Sequence, residues 1–361
     1  PLEVNAVAFD DEKTRAVIIS IDNLGIKQKN CDILREKVAK AINCSKEGVY
    51  IACTHTHLAP GLGDLLNDNA VLSAEDELYE NWLRQRVVDV AILAVNDLAP
   101  TTVTYTQANV PDVSFIRRFK MKDGSLRTNP GCQNPNIDHP LGTPDELATL
   151  LMLNREGKDE IAITHFQTHP NVIGGTKASA DWPGFVRRTY EKLVPNSKCI
   201  YINGAQGDTN HIDVRLESHA RGGYQRSQYM GEKIAMALIA NKHLAKPLNT
   251  DKVVVAQKSV FAPVNKGKPE EIDQAIKIAT IYHETNNIKK ATEGLGLSGM
   301  NTTTEVAKSC RIVNFLDKPD TEELCLNAIA VGDIVFTGLP GEPVTDIGRG
   351  IKNGSHFTVT L

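Results

Sequence analysis

Apolar positions along this chain switch repeatedly between a period of two and a period near 3.6. Leu2 to Phe9 alternates polar and apolar residues, Asp10 to Lys13 reads as a turn, and Thr14 to Ile21 is a β-branched run, which together predict an opening hairpin. Lys29 to Ile42 carries apolar residues at Ile33, Leu34, Val38 and Ala41, a helical stripe. Val49 to Cys53 predicts a buried strand. A loop is expected over Gly61 to Asn69. Ser73, with Asp76 three positions later, suits the N-cap of a long helix reaching Leu98.

Thr101 to Asn109 predicts a threonine-rich strand. Leu147 to Leu153 and Ile161 to Thr168 predict two more, joined by a turn at Glu156 to Asp159. Pro183 suits the first turn of a helix running to Leu193. A short strand over Lys198 to Ile202 and a helix over Gly222 to Ala240 follow. Then come a strand over Val253 to Val264, a helix over Glu270 to Thr285 and a loop over Asn286 to Thr304. Leu324 to Val331 and Ile334 to Thr337 predict a hairpin across Gly332-Asp333. Leu339 to Pro343 opens a helix to about Lys352, and His356 to Leu361 is strand-like.

The alternation predicts a mixed α/β fold: one large β-sheet core with flanking helices. The chemistry-bearing loops each follow an apolar run, so they should gather at one sheet edge. No internal repeat or low-complexity linker interrupts the pattern. The exception is Pro111 to Pro144, polar and rich in Asn, Gly and Pro. A loop of that length inside a compact domain is usually functional. It carries Arg117, Arg118, Asn129, Cys132, Asp138 and His139.

Composition narrows the classes. The 361 residues are 41% hydrophobic and 23% charged, enough for a packed core in one large domain or two modest ones. The formal charge of −4 argues against a nucleic-acid footprint. The basic pairs Arg117-Arg118 and Arg187-Arg188 read as salt-bridged surface or anion-binding points. Seven cysteines without a CxxC pair indicate neither a zinc knuckle nor a disulfide framework. They fit a reducing compartment. No apolar run is long enough for a transmembrane helix. The chain opens on a strand-like segment without an initiator Met, so a soluble cytoplasmic protein and an exported one whose leader has been removed both remain open.

The candidate chemistry begins at Thr54-His55-Thr56-His57, where an apolar strand gives out before Pro60-Gly61. Residues i and i+2 of an extended chain share a face, so both imidazoles are expected to point at one spot. Imidazole is the commonest metal ligand and a proton shuttle near neutral pH. His169 ends a later strand in the same way, and Glu342 sits in a Pro-Gly-Glu turn after another. Two histidines and a carboxylate form a familiar catalytic zinc set with a position open for water. Each piece also has an ordinary reading: a strand-end histidine that satisfies backbone groups, and a helix-start carboxylate favoured by the dipole.

These motifs resemble the zinc-site signature of the neutral/alkaline (non-lysosomal) ceramidases, and in particular their smaller bacterial relatives. The resemblance continues through His169-Pro170, Ser179-Ala180-Asp181, Asn203-Gly204 with Gly207-Asp208, and Leu339-Pro340-Gly341-Glu342. These stand in the family's order over nearly the whole chain. The resemblance implies one catalytic domain over 1–361, truncated or processed at both ends. It implies that His55, His169 and Glu342 ligate Zn2+ and that His57 is the acid/base. It implies that Arg117 or Arg118 contacts substrate carboxylate or carbonyl oxygens, for which a planar guanidinium is suited. Asp181, Asn203, Asp208 and His211 would stand behind the ligands or line the pocket. Asp208 either orients a ligand histidine or caps the next turn. His165 is expected to be a buried core histidine bonded to backbone. His139, His219, His243, His283 and His356 have no assigned role.

Three departures shape the expectation. The family's fourth ligand is a Tyr beyond the Glu motif, and no matching Tyr is present here, so water, another chain or a C-terminal segment would complete the site. Thr209-Asn210-His211 stands where the family often carries a Ser. No immunoglobulin-like domain follows, and aromatics are sparse at 5%. The expected function is zinc-dependent hydrolysis of N-acyl (amide) bonds, with a water acidified by the ion as nucleophile. The substrate is a small molecule, lipid-derived or glycan, and not necessarily ceramide. The alternatives are a metal-dependent glycan-active enzyme (uronate lyase or esterase) and a non-catalytic metal- or ligand-binding protein.

Overall fold

The computed structural model describes residues 1–62, 73–217, 222–297 and 300–361. His219 and most of the loop expected over Gly61 to Asn69 lie outside the described residues. The chain divides into two compact units. The first comprises Pro1–Gly61, Asn81–Gln257 and Leu326–Leu361; the second comprises Leu62–Glu80 and Lys258–Cys325.

The opening hairpin is β1 (Val4–Asp10) against β2 (Arg15–Ile21), paired from Val4↔Ile21 to Asp10↔Arg15. Helix α1 (Gln28–Ile42) buries Leu34, Val38 and Ile42 and stops at Asn43, whose φ of 54° takes the left-handed cap conformation. β3 (Val49–Cys53) returns parallel to β2, with Ile21 opposite Cys53. Helix α2 (Ala74–Asn96) begins where Ser73 caps it: the Ser73 hydroxyl accepts the Asp76 N–H at 3.1 Å. Its inner face is Leu83, Val87 and Ala91, a stripe of period four. β4 (Thr101–Asn109) follows.

The long polar segment is not plain loop. It holds β5 (Phe115–Ile116), β6 (Arg118–Met121), β7 (Leu126–Thr128) and β8 (Ile137–Pro140), of which the last three form a small sheet in the order β7-β6-β8. Strands of two to four residues leave too short an alternation to stand out against the surrounding Asn, Gly and Pro. Next come β9 (Leu147–Arg155), β10 (Glu160–Phe166), α3 (Asp181–Leu193), β11 (Ser197–Asn203), β12 (Thr209–Asn210), α4 (Tyr224–Ala240) and β13 (Lys246–Leu248). β12 pairs with β5, tying the polar segment to the chain after β11.

β14 (Val253–Pro263) leads into the second unit, which contains α5 (Pro269–Thr285), α6 (Ile288–Ala291) and α7 (Met300–Leu316). This unit has its own core of Ile278, Ala279, Tyr282, Ala291, Val306 and Cys310. α6 and the start of α7 stand where a loop was expected. Asn301 to Thr304 are weak helix formers, and the burial of Val306 and Cys310 in that core overrides their propensity. β15 (Thr321–Val331) leads back to β16 (Ile334–Gly338), α8 (Thr345–Gly354) and β17 (Val359–Thr360).

The fold is mixed α/β, but the expected single sheet is several. The largest has five strands in the order β11-β10-β9-β4-β13, beside β1-β2-β3 and β14-β15-β16-β17. Alternation identifies strands without saying which of them share a ladder. The five-stranded sheet is buried on both faces. Leu151, Leu153, Ile200 and Ile202 join a core with Phe9, Ile18, Ile329 and Phe336. Their neighbours Leu150, Met152, Cys199 and Tyr201 join a second core with Trp182 and Tyr190 of α3 and Ile234 and Leu238 of α4. Each such side chain removed from water contributes about 1.5–3 kcal/mol. No described helix is long and apolar enough to cross a membrane.

Candidate metal centre

β2, β3, β10, β11 and β16 end at Ile21, Cys53, Phe166, Asn203 and Gly338, and the site is built from the segments that follow. After the parallel ladder of β2 and β3 ends, Thr54 N–H still donates to the Ile21 carbonyl at 2.9 Å, and His55 N–H donates to that of Asn23 at 2.9 Å. His55 then takes φ of 68°, a left-handed conformation that a non-glycine residue rarely adopts. The two imidazoles therefore do not converge through a shared strand face. The left-handed turn brings them together, with ring centroids 5.1 Å apart and planes at 86°.

His169 arrives three residues after β10 and is buried. Its ring centroid lies 4.7 Å from that of His55 and 5.6 Å from that of His57. Glu342 arrives through the turn at Gly341, whose φ of 85° suits glycine. A side chain at Gly207 would overlap the Glu342 carbonyl, so the absence of a Cβ there lets the two loops meet.

The donor atoms converge closely. His55 Nε2 lies 3.2 Å from His169 Nε2. Glu342 Oε1 is 3.6 Å from His55 Nε2, and Oε2 is 3.3 Å from His169 Nε2. One ligand atom from each of His55, His57 and His169 can be chosen so that all three lie within 4.8 Å of one another. The far nitrogens fix the tautomers. His55 Nδ1 faces the Leu24 carbonyl at 2.7 Å, and His169 Nδ1 faces the Gln206 carbonyl at 3.0 Å. A carbonyl only accepts, so both Nδ1 atoms carry the proton and both Nε2 atoms present lone pairs. Two lone pairs and a carboxylate directed at one point repel unless a cation lies between them. Ligand atoms about 2.0–2.1 Å from a tetrahedral zinc lie about 3.3–3.4 Å from one another, which the spacing here matches. The residues present therefore fit a metal ion.

Electrostatics agree with that donor set. Burial pushes His55 down to about 4, helped by His169 and opposed by Glu342. Burial also pushes His57 down to about 4, with His55 and His169 adding to it, although part of its surface meets solvent. For Glu342, burial acts upward, but the closeness of His169 and His55 and the charge of Arg117 prevail and hold it at about 2. Neutral imidazoles beside an ionised carboxylate are the protonation states that ligation requires.

The other predicted residues divide. Arg117 is at the site: its Nε and Nη2 donate to the Gly207 carbonyl at 3.1 and 2.7 Å, and Nη2 lies 3.5 Å from Glu342 Oε2. Arg118, the first residue of β6, is exposed. Asn203 donates to the Thr54 carbonyl at 3.1 Å and so holds the backbone entering His55. Asp181 accepts the N–H groups of Val172 (2.8 Å) and Ile173 (3.1 Å), which holds the chain leaving His169. Burial raises its pKa against those hydrogen bonds. Asp208 accepts the Thr345 N–H and hydroxyl at 2.8 and 2.7 Å, so it caps α8, just after Glu342, and contacts no ligand histidine in this way. His211 is buried, its Nδ1 has no hydrogen-bond partner among the described residues, and burial, Arg226 and His169 lower it to about 4. His165 is buried as expected, but its Nδ1 has no partner among the described residues where a backbone bond was expected.

Sequence reading missed Asp22 and Arg187. The pair Arg187-Arg188 reads as a surface cluster, yet the Arg187 side chain is 2% exposed and grips Asp22 with Nη1 and Nη2 at 3.1 and 2.6 Å. A helical repeat marks the inward position at 187, between Tyr190 and Trp182, and is the one signal that distinguishes it from Arg188.

No protein-family model matches the sequence, and no curated protein matches it. Solved structures do. The neutral ceramidase from Pseudomonas aeruginosa superposes with a TM-score of 0.59 at 18% identity, over 95% of this chain and 56% of that one. A ceramidase complexed with C2 gives 0.61 at 15% identity, over 96% of this chain and 60% of that one. The chain thus spans less than two thirds of the length of either. At these identities the likeness is one of fold: the chain is similar to neutral ceramidases in architecture.

Proposed function

We propose that this protein is a zinc-dependent hydrolase of N-acyl bonds, working as one catalytic domain, with Zn2+ held by His55, His169 and Glu342. The observation that carries the reading is the 3.2 Å approach of two Nε2 lone pairs beside one carboxylate. The ceramidase-like fold supports the reaction class. When bound, zinc supplies a Lewis acid that acidifies water and polarises a carbonyl oxygen. His57, neutral and partly open to solvent, takes the proton from the attacking water and returns it to the leaving nitrogen. Its protonated form stabilises the oxygen that gains charge. Arg117, fixed by the Gly207 carbonyl, holds Glu342 in place and presents positive charge to a substrate oxygen.

A second reading, a metal-dependent glycan-active enzyme, draws on one feature. Thr168 Oγ1 and Gln206 Oε1, on residues that adjoin or hold His169, are buried without hydrogen-bond partners among the described residues. Uncharged buried groups of this kind suit a substrate rich in hydroxyl or amide donors. Metal analysis of the purified protein, followed by assays on N-acyl amines, N-acyl amino sugars and uronates, separates the readings. Amide hydrolysis that requires zinc supports the first. Unsaturated-product absorbance from uronates supports the second. Wild-type protein with no affinity for a divalent ion refutes both.

A further inference from the structure

The two histidine loops are hung on one helix. At the start of α3, Asp181 Oδ2 accepts Val172 and Ile173 N–H, and its Oδ1 accepts Trp182 N–H at 2.7 Å and the Ser227 hydroxyl at 2.6 Å. Trp182 Nε1 donates to the His169 carbonyl itself at 3.4 Å. Six residues later, about 9 Å along the axis, Arg187 grips Asp22. Asp22 also accepts the Thr54 hydroxyl at 3.0 Å and Glu3 N–H at 2.9 Å, which fills its oxygens. Arg187 Nε lies 3.0 Å from Glu3 Oε2 as well. Asp22 immediately precedes Asn23 and Leu24, whose carbonyls take the His55 N–H and Nδ1–H. Thr54 immediately precedes His55. One carboxylate thus holds the residue before the histidine and the turn that aims its ring.

We infer that α3 sets the spacing of the metal centre, with Arg187, through Asp22 and Thr54, as a positioning residue for His55 against an Asp181-anchored His169. The inference rests on the metal-centre reading above. A buried ion pair stabilises a fold weakly, because desolvation offsets its attraction. Its geometric effect is the larger one: the bidentate fork fixes both distance and angle, which a lysine cannot do.

The test uses the full chain and three variants. Arg187→Lys keeps the charge and loses the fork. Thr54→Val removes one hydroxyl at constant shape. Ile329→Val, in the opposite core, controls for stability. Competition against a chromophoric chelator reads zinc affinity. Arg187→Lys should weaken it about ten- to a hundredfold, Thr54→Val several-fold, and Ile329→Val not at all. A second readout needs no metal. Imidazole 15N spectra of the metal-free wild type should show His55 as a single Nδ1–H tautomer, and Arg187→Lys and Thr54→Val should mix the tautomers. If Arg187→Lys fails to fold, Thr54→Val carries both measurements. Variants that bind zinc like the wild type and keep one tautomer overturn the inference. Wild-type protein that binds no zinc refutes the metal reading instead, and the tautomer spectra then decide the positioning role.

Discussion

The two ends of the strands in the first unit pose opposite electrostatic problems. At the end where β1 and β9 finish and β2 and β10 begin lies a cavity of about 770 Å³, lined by Asp10, Arg15, Asp97, Arg155 and Asp251 among others. Most of its charges are already matched. Arg15 pairs with Asp10 at 2.8 Å and Arg155 with Asp97 at 2.5 Å, while Asp11 accepts the N–H groups of Lys13, Thr14 and Val253. At the other end, two imidazole lone pairs and a carboxylate face one another. The cavity lies at the first end, and the unmatched donor atoms lie at the second. A cavity says where a ligand fits; groups left in mutual repulsion say where one is needed.

The sharpest way to break that contrast is His169→Ala. Zinc content should fall from one ion per chain to none, and turnover by about a thousandfold or more, because the ion's chemistry leaves with it. Added zinc should raise the melting temperature of the wild type, since it binds the folded state alone, and should not raise that of the variant. Calorimetry with metal analysis reads both. Next in size is His57→Ala. It should keep its zinc and lose about a hundred- to ten-thousandfold in turnover, the usual range for one acid/base group. Loss of zinc from His57→Ala would make it a ligand, which its position within the three-histidine cluster permits geometrically.

How much of this was legible in the sequence follows from the range of each interaction. β3 and β4 match their expected bounds, and α1 differs by one residue, because periodicity is local. The convergence of His169 and Glu342 on His55 is not local. Residue types after apolar runs suggest the set and the resemblance implies its roles, while the backbone turns that achieve it, at His55 and Gly341, leave no mark in the alternation. The reading of i and i+2 on one face pairs two rings that do lie together, but the strand ends at Cys53 and a left-handed turn, not a shared face, brings them there. The Asp22–Arg187 pair spans 165 positions, and no spacing rule reaches that far. Asp208 shows the same limit: its bonds neither orient a ligand histidine nor cap the next turn, but cap a helix 137 positions downstream.

Gly207→Ala sharpens the contrast at the scale of one methyl group. The new Cβ would overlap the Glu342 carbonyl, so one loop must shift. Overpacking of this kind costs about 1–3 kcal/mol in denaturant unfolding. Zinc affinity should fall with it, because the displaced carbonyl belongs to a proposed ligand. Stability loss with unchanged affinity would show that Glu342 is not held by its backbone, a point to weigh because its side chain is 45% exposed.

The smallest effect is expected at the far cavity, where Arg155→Met removes a charge. Arg155 also donates to the Asp159 carbonyl at 2.9 Å, but its main partner, Asp97, is more than half exposed and keeps Lys158 at 2.8 Å. The remaining carboxylate is therefore neither buried nor alone, and the methionine retains most of the stem's packing. A loss of about 1 kcal/mol or less follows, with zinc content and turnover unchanged. This outcome separates a cavity whose charges stabilise one another from one that serves the reaction. If turnover fell while zinc content held, the far end would be coupled to the chemistry along the strands that join them, and the contrast between the two ends would give way to a single extended site.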